Sequence, residues 1–425
     1  MGLFDDRLAF PNSLSLVAST MQANVGVKLF VFFVWYASLT RLSYRVGPEP
    51  TVNLATYKLF TPLTIGQDLV LKNRVVMSPM TRARADPATS APNALQQQYY
   101  EQRAGAGLII TEGCGISQQG LGWYAAPGLW NDEQLDGWKK VADAVHAKDG
   151  KIILQLWHMG RQSHSSFNSA NEVVAPSAIA VPDGRIRNNN GEHVSYETPR
   201  ALETEEIRGV IEEYIKSAVL AKKAGFDGVE IHGANGYLVD TFLQSVSNKR
   251  TDKYGGSFEN RARFLLEIVE VLKSEWPSDR IAVRLSPNGG FGGMGSKDNF
   301  EMFSYVIEEL SKHNLAYLAI LDGFGFGYHD MGRLMTAFDA KQLFKGTVIA
   351  HNSYTRDMAE GAIRSGAADA VGFGRPYIST PDLAERFRND WPLNPDVPYH
   401  AFWDSSLGAE GYTTPPAYED DEYVN

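Results

Sequence analysis

"VEIHGANGYL" (Val229–Leu238) is the stretch from which the fold can be read. The chain leaves the run GVEI (228–231) and, within six positions, presents His232, Asn235 and Tyr237, with two glycines between them. A lone histidine is more often a satisfied core residue than a site. Three different hydrogen-bonding side chains at the end of one short strand suggest that the strand opens onto a site.

The pattern around it repeats. VVMSPM (75–80), GLIIT (107–111), KIILQL (151–156), IAVRL (281–285), LAYLAI (315–320), TVIA (347–350) and AVGF (370–373) read as further buried parallel strands. Between them, 93–103, 133–148, 205–224, 258–273, 300–313 and 355–365 carry apolar residues at three-to-four spacing, the mark of amphipathic helices. Eight strands alternating with helices predict an α/β fold, a (β/α)8 TIM barrel. One connection is too long: about seventy residues separate the third and fourth strands, rich in Ser, Asn, Gly and Pro. Long structureless loops in compact domains are usually functional, so a lid insertion with a short strand pair is expected over the barrel mouth.

The totals agree with one large barrel plus additions. Of 425 residues, 44% are apolar and 21% charged, and the net charge is −10. No basic run marks a nucleic-acid footprint. A single cysteine, Cys114, excludes a disulfide framework and any cysteine-cluster zinc or iron–sulfur site, and Cys114 reads as a small buried residue. The first fifty residues stand apart. VKLFVFFVWYASL (27–39) is shorter than the roughly 20 residues that span a bilayer as a helix. A targeting segment, a membrane-surface helix and an appended packing helix all remain open, with membrane contact confined to 25–40 and localisation cytoplasmic or organellar. The domains expected are an extension over 1–50, the barrel over 55–415 and an acidic tail over 416–425.

In such barrels the chemistry lies at the C-terminal ends of the strands. Thr81, Gln155 with Trp157, the His232–Asn235–Tyr237 set, Arg284, and Gly374 with Arg375 all fall there. GFGRPY (372–377) can cradle a phosphate, because glycines let backbone N–H groups approach and arginine offers a two-pronged donor. Arg284, a charge inside a strand, requires an anionic or carbonyl-rich partner. His232 and Asn235, three apart, are expected on one side of a first helical turn, with Tyr237 about 140° further around it.

With these residues in view, the chain resembles the old yellow enzyme family of FMN-dependent ene-reductases, including the 12-oxophytodienoate reductases. The matching stretches are LKNRVVMSPMTRARA, GLIITEGCGIS, ILQLWHMGR, AGFDGVEIHGANGYLVDTFLQSVSNKRTDKYGGSFENRARFLLEIVE, RLSP and VGFGRPYISTPDL, running in family order over about 58–415. The resemblance implies non-covalent FMN at the barrel mouth, NADPH as reductant, and α,β-unsaturated carbonyl compounds, quinones or nitroalkenes as acceptors, in a monomer or homodimer.

Residue by residue it places Pro79, Met80 and Thr81 at the flavin. The small residue that contacts the ring through its backbone is Cys114. Gln155 and Arg284 fall at the pyrimidine edge, and Asn352, Ser353, Gly374 and Arg375 at the phosphate. His232 and Asn235 would hold the substrate carbonyl and Tyr237 would supply the proton. Trp157, Phe291 and Trp403 would complete the substrate pocket. Three departures stand out: His351-Asn352-Ser353-Tyr354 where the family has a glycine pair before an aromatic, Phe402-Trp403 where it often has a tyrosine, and an aromatic loop after the sixth strand with Phe324 and Phe326. The alternative reading is a silent flavin-binding or anchoring module, which would not turn over an activated alkene.

Overall fold

Alternation of side chains along eight short strands accounts for both the wall of the barrel and its contents. The computed structural model describes residues 53–323 and 327–418. The N-terminal extension, Phe324, Phe326 and the tail beyond 418 lie outside the described residues. The strands are β1 (Val75–Met77), β2 (Leu108–Gly115), β3 (Ile152–Trp157), β4 (Gly228–Gly233), β5 (Ile281–Leu285), β6 (Tyr317–Leu321), β7 (Thr347–His351) and β8 (Ala370–Phe373). They form one closed parallel barrel in sequence order, β8 returning to β1. All eight expected strands are present.

Outward residues such as Val229, Ile231, Val283, Leu318, Val348 and Val371 pack against the surrounding helices in one large cluster. Inward residues form layers. The lowest is apolar and partly small, with Val76, Leu108, Ile153, Ala282, Ala319, Ile349 and Ala370. Those small side chains leave room for a plug. An antiparallel hairpin, Leu63–Ile65 with Leu69–Leu71, buries Ile65, Leu69 and Leu71 against this layer. The next inward positions are polar: Gln155, Glu230 and Arg284, all buried. Glu230 pairs in register with Gln155, and His232 with Arg284. Polar side chains therefore enter the barrel only above the sealed floor.

The helices follow the expected spans closely, among them α1 (Ala94–Glu101), α2 (Asp132–His146), α3 (Thr204–Lys223) and, after β4, the short α4 (Leu238–Leu243). The insertion between β3 and β4 carries an antiparallel hairpin, Arg185–Arg187 with His193–Ser195, and a separate two-residue parallel pair, Val174–Ala175 with Arg200–Ala201. Arg161 ties the insertion to the loop after β5 by donating to the carbonyls of Ile179 and Gly292. No helix among the described residues is long and apolar enough to cross a membrane.

Candidate active site

Two adjoining cavities open at the C-terminal ends of the strands and share Met80. The smaller, about 210 Å³, is lined by Ser78, Arg284, His351, Asn352, Ser353, Gly374 and Arg375, among others. The larger, about 290 Å³, is lined by Pro79, Thr81, Gly113, Gln155, Trp157, His232, Asn235, Tyr237, Phe291 and Trp403, with Trp123 and Tyr399. Every site residue named from the sequence except Cys114 reaches one of them.

Cys114 lines neither cavity. It sits in the outward core, fully buried beside Trp138. The register of β2 against β3 slips between Ile110 and Gly113. That bulge reverses which alternate residues face inward. Glu112 consequently turns out to Gln96 and Tyr100 of α1, while Gly113 faces the cavity. A Cβ at Gly113 would come within 2.6 Å of the Trp157 ring, so a larger residue there would require that ring to shift.

The helical-turn geometry of the catalytic loop is also corrected. His232 lies within β4, Asn235 sits in a left-handed turn at φ 59°, and the helix starts only at Leu238. Asn235 and Gly236 (φ 75°), both left-handed, bend the chain sharply instead of winding it. Asn235 donates its backbone N–H to Ser286 Oγ at 2.8 Å, and its carbonyl accepts from Gln162 Nε2 at 2.6 Å. The Tyr237 ring meets His232 edge-on at 4.8 Å and Trp157 at 5.0 Å. The imidazole and phenol are therefore neighbours, not separated around a helix.

Protonation states follow from burial. His232 Nδ1 accepts the Ala234 N–H at 3.3 Å, which puts the ring proton on Nε2. Burial, reinforced by the nearby Arg284 cation, holds its pKa well below the usual range, so it is a neutral donor. Burial, with Tyr196 adding to it, raises the Tyr237 pKa, so the phenol keeps its proton.

Burial lowers the Arg284 pKa, partly offset by the nearby Glu230, whose own pKa is raised by burial. Glu230 in turn accepts from Gln155 Nε2 at 2.7 Å. Yet Arg284 Nε and Nη1 find no hydrogen-bond partner among the described residues. A buried guanidinium with idle donors is costly, and Arg284 is part of the wall of the smaller cavity.

Asp240 underpins the loop from beneath. It accepts the Gly236 N–H and Gln244 Nε2, each at 2.8 Å. Burial lifts its pKa to about 6. The raised value means that the protonated form favours the fold. This contribution is full below about pH 4 and is lost as pH rises through 6. Relative to Asp240→Asn, wild-type protein should therefore lose on the order of 1–3 kcal/mol between pH 4 and 7. Chemical denaturation of both proteins at each pH checks this. A pH-independent difference would mean that Asp240 titrates like a surface carboxylate.

At the phosphate end, Asn352 (φ 88°) and Ser353 (φ 67°) both adopt left-handed backbone where the family's glycines would be relaxed. Asn352 is held there by donating Nδ2–H to the Gly323 carbonyl at 2.7 Å. Ser353 makes only a 3.3 Å contact with Asn352 Oδ1. Ser353→Gly should therefore stabilise the protein by about 0.5–1 kcal/mol, measured as a shift of the denaturation midpoint. An unchanged or lower midpoint would show that the serine costs nothing there.

Besides Gly113, the lining residues given no role from the sequence include Ser78, His351, Trp123 and Tyr399. Ser78 and His351 are the inward positions at the ends of β1 and β7, a signal present in the alternation. Trp123 and Tyr399 come from loops, where no periodicity points inward. Arg82 and Arg84 explain how the last of these arrives. Both are buried and donate to carbonyls of Ala401, Phe402, Gly408 and Gly411, fixing the segment that carries Tyr399 and Trp403 over the cavity.

A sealed barrel whose open end gathers a buried arginine, a glycine-edged cradle and a histidine–asparagine–tyrosine set is the arrangement of a flavin-dependent barrel oxidoreductase. Sequence comparison agrees: a profile of the NADH:flavin oxidoreductase / NADH oxidase family matches residues 58–394. A putative 12-oxophytodienoate reductase 11 of Oryza sativa subsp. japonica is 39% identical over 345 residues, covering 80% of this chain and 92% of the relative. A probable flavin mononucleotide-dependent alkene reductase of Leishmania infantum is 37% identical, covering 83% and 96%. The old yellow enzyme homologue from Zymomonas mobilis superposes with a TM-score of 0.80 at 40% identity, covering 84% of this chain and 99% of that one. The chain belongs to the old yellow enzyme family of FMN-dependent oxidoreductases.

Proposed function

We propose that the protein binds FMN without a covalent bond and uses NADPH, in preference to NADH, to reduce the C=C bond of α,β-unsaturated carbonyl compounds and related activated alkenes. The observation that carries this reading is the pair of idle Arg284 donors at the cavity, one strand from His232. An anionic or carbonyl-rich heterocycle would satisfy them. Gly374 supports the fit, since a Cβ there would lie 2.9 Å from Met80 Sδ in the cavity wall.

In this reading Arg284 and Gln155 hold the pyrimidine edge of the flavin. Pro79, Met80 and Thr81 take one side of the ring, and Asn352, Ser353, Gly374 and Arg375 take the phosphate. Bound FMN supplies the hydride. His232 Nε2–H and the Asn235 side-chain amide donate to the substrate carbonyl oxygen, where negative charge grows as hydride reaches the β-carbon. Donors fixed in advance stabilise that charge without reorganisation. Tyr237 gives the α-carbon its proton. Trp157 backs both rings, while Trp403 and Phe291 border the acceptor. The insertion's hairpin (185–195) serves as a lid, because its residues wall an outer cavity of about 480 Å³ that meets the reaction cavity at Trp123, Phe291, Tyr399 and Trp403.

The test is to purify the full chain, record its absorbance, reduce it anaerobically with NADPH or NADH, and reoxidise it with cyclohexenone, a nitroalkene or a quinone. A yellow protein that releases FMN on acid treatment and turns over an enone is expected. A colourless protein inactive with added FMN would refute the reading. A flavoprotein that reduces no alkene would make it a silent binding module.

A further inference from the structure

His351 ends β7 on the inner face of the barrel, 1% exposed, in the wall of the smaller cavity. Its Nδ1 lies 2.8 Å from Ser78 Oγ of β1. The pair is built in: a Cβ at Gly372 of β8 would come within 2.1 Å of His351 Nδ1 and 2.7 Å of Ser78 Oγ, so only glycine leaves room for it. The second ring nitrogen, Nε2, is buried and has no partner among the described residues. Burial and the Arg284 cation keep the imidazole neutral.

Position narrows what it can serve. Arg284 of β5 lines this cavity together with Asn352 and Ser353, which follow β7, and Gly374 and Arg375, which follow β8. His351 ends β7, two strands on from Arg284 in the order of the barrel, in register with Leu321 and Gly372 and directly before Asn352. A neutral imidazole has one donor and one acceptor nitrogen. Ser78 occupies one, and either role can be left at Nε2. A phosphate oxygen can only accept, whereas a hydroxyl answers either role.

We propose that His351 is a flavin-positioning residue whose Nε2 holds a hydroxyl of the ribityl chain of FMN, with Ser78 fixing the ring. The proposal rests on the FMN reading above and assigns a contact within it.

Three flavins separate the contacts. FMN carries ribityl chain and phosphate, riboflavin lacks the phosphate, and lumiflavin lacks both. Apoprotein affinities are measured by quenching of flavin fluorescence for wild type and His351→Leu, with thermal denaturation of each apoprotein as a control on folding. Loss of one neutral hydrogen bond should weaken FMN and riboflavin alike, by roughly 3- to 20-fold, and leave lumiflavin unchanged. Loss for FMN alone would assign His351 to the phosphate and overturn the proposal. Equal loss for all three would assign it to the ring or to general packing, and no loss would leave it without a flavin contact; both also overturn it. If the leucine variant does not fold, His351→Ala is read in the same way. Wild-type protein that binds no FMN overturns the FMN reading and this proposal together, whereas normal wild-type binding with an indifferent variant overturns this proposal alone.

Discussion

Tyr237→Phe should slow reduction of cyclohexenone by roughly 10²–10⁴, the usual contribution of a positioned general acid, while reduction of the enzyme by NADPH proceeds at the wild-type rate. The phenol packs edge-on against His232 and Trp157, so the phenylalanine ring keeps the same bed and only the hydroxyl is lost. Carbonyl binding should survive, because the two donors to the oxygen are elsewhere. The loss should depend on the acceptor. A nitroalkene yields a nitronate that is stable without immediate protonation, and a quinone is protonated on oxygen by water, so both should be nearly spared. Stopped-flow measurement of the two half-reactions with the three acceptors decides it. Equal loss on all three would make Tyr237 a structural residue and require another proton source.

His232→Ala should cost about 10²–10³ in the rate of enone reduction, or about 2.7–4 kcal/mol, by removing one of two donors to the developing charge. Because the Ala234 N–H already occupies Nδ1 and the ring is neutral, the lost interaction is a neutral N–H bond. The ratio of wild-type to variant rates should therefore stay flat between about pH 6 and 8.5. A ratio that grows as pH falls towards 6 would mean that an imidazolium acts in the wild type. His232→Asn, which keeps a donor of shorter reach, should recover part of the loss.

The fold was legible because each strand carries its own apolar outer face and each helix its own stripe. The site was legible wherever it coincided with strand ends, as at Thr81, Gln155, His232 and Arg284. What stayed hidden has physical causes. GVEI reads as an apolar strand, yet its glutamate points into the barrel, where Gln155 and Arg284 meet it. Nothing in a one-dimensional pattern marks the slip in β2 that exchanges Cys114 for Gly113. The turn at Asn235 depends on Ser286 from the next strand's loop, a partner fifty-one residues away. The plug under the barrel is two three-residue strands, too short to show a period.

The outer and inner cavities share an aromatic rim of Trp123, Phe291, Tyr399 and Trp403, and in the proposed function it is the passage by which reductant and acceptor would reach the reaction face. Two guests that need the same doorway cannot be inside together. In the proposed reaction turnover would then be a queue, with the spent nicotinamide leaving before the alkene enters. Each ligand in excess should obstruct the other, so the initial-rate plots should be parallel at low concentrations and bend downward in rate when either guest is crowded. Narrowing or widening that rim changes who waits longest without touching the chemistry behind it.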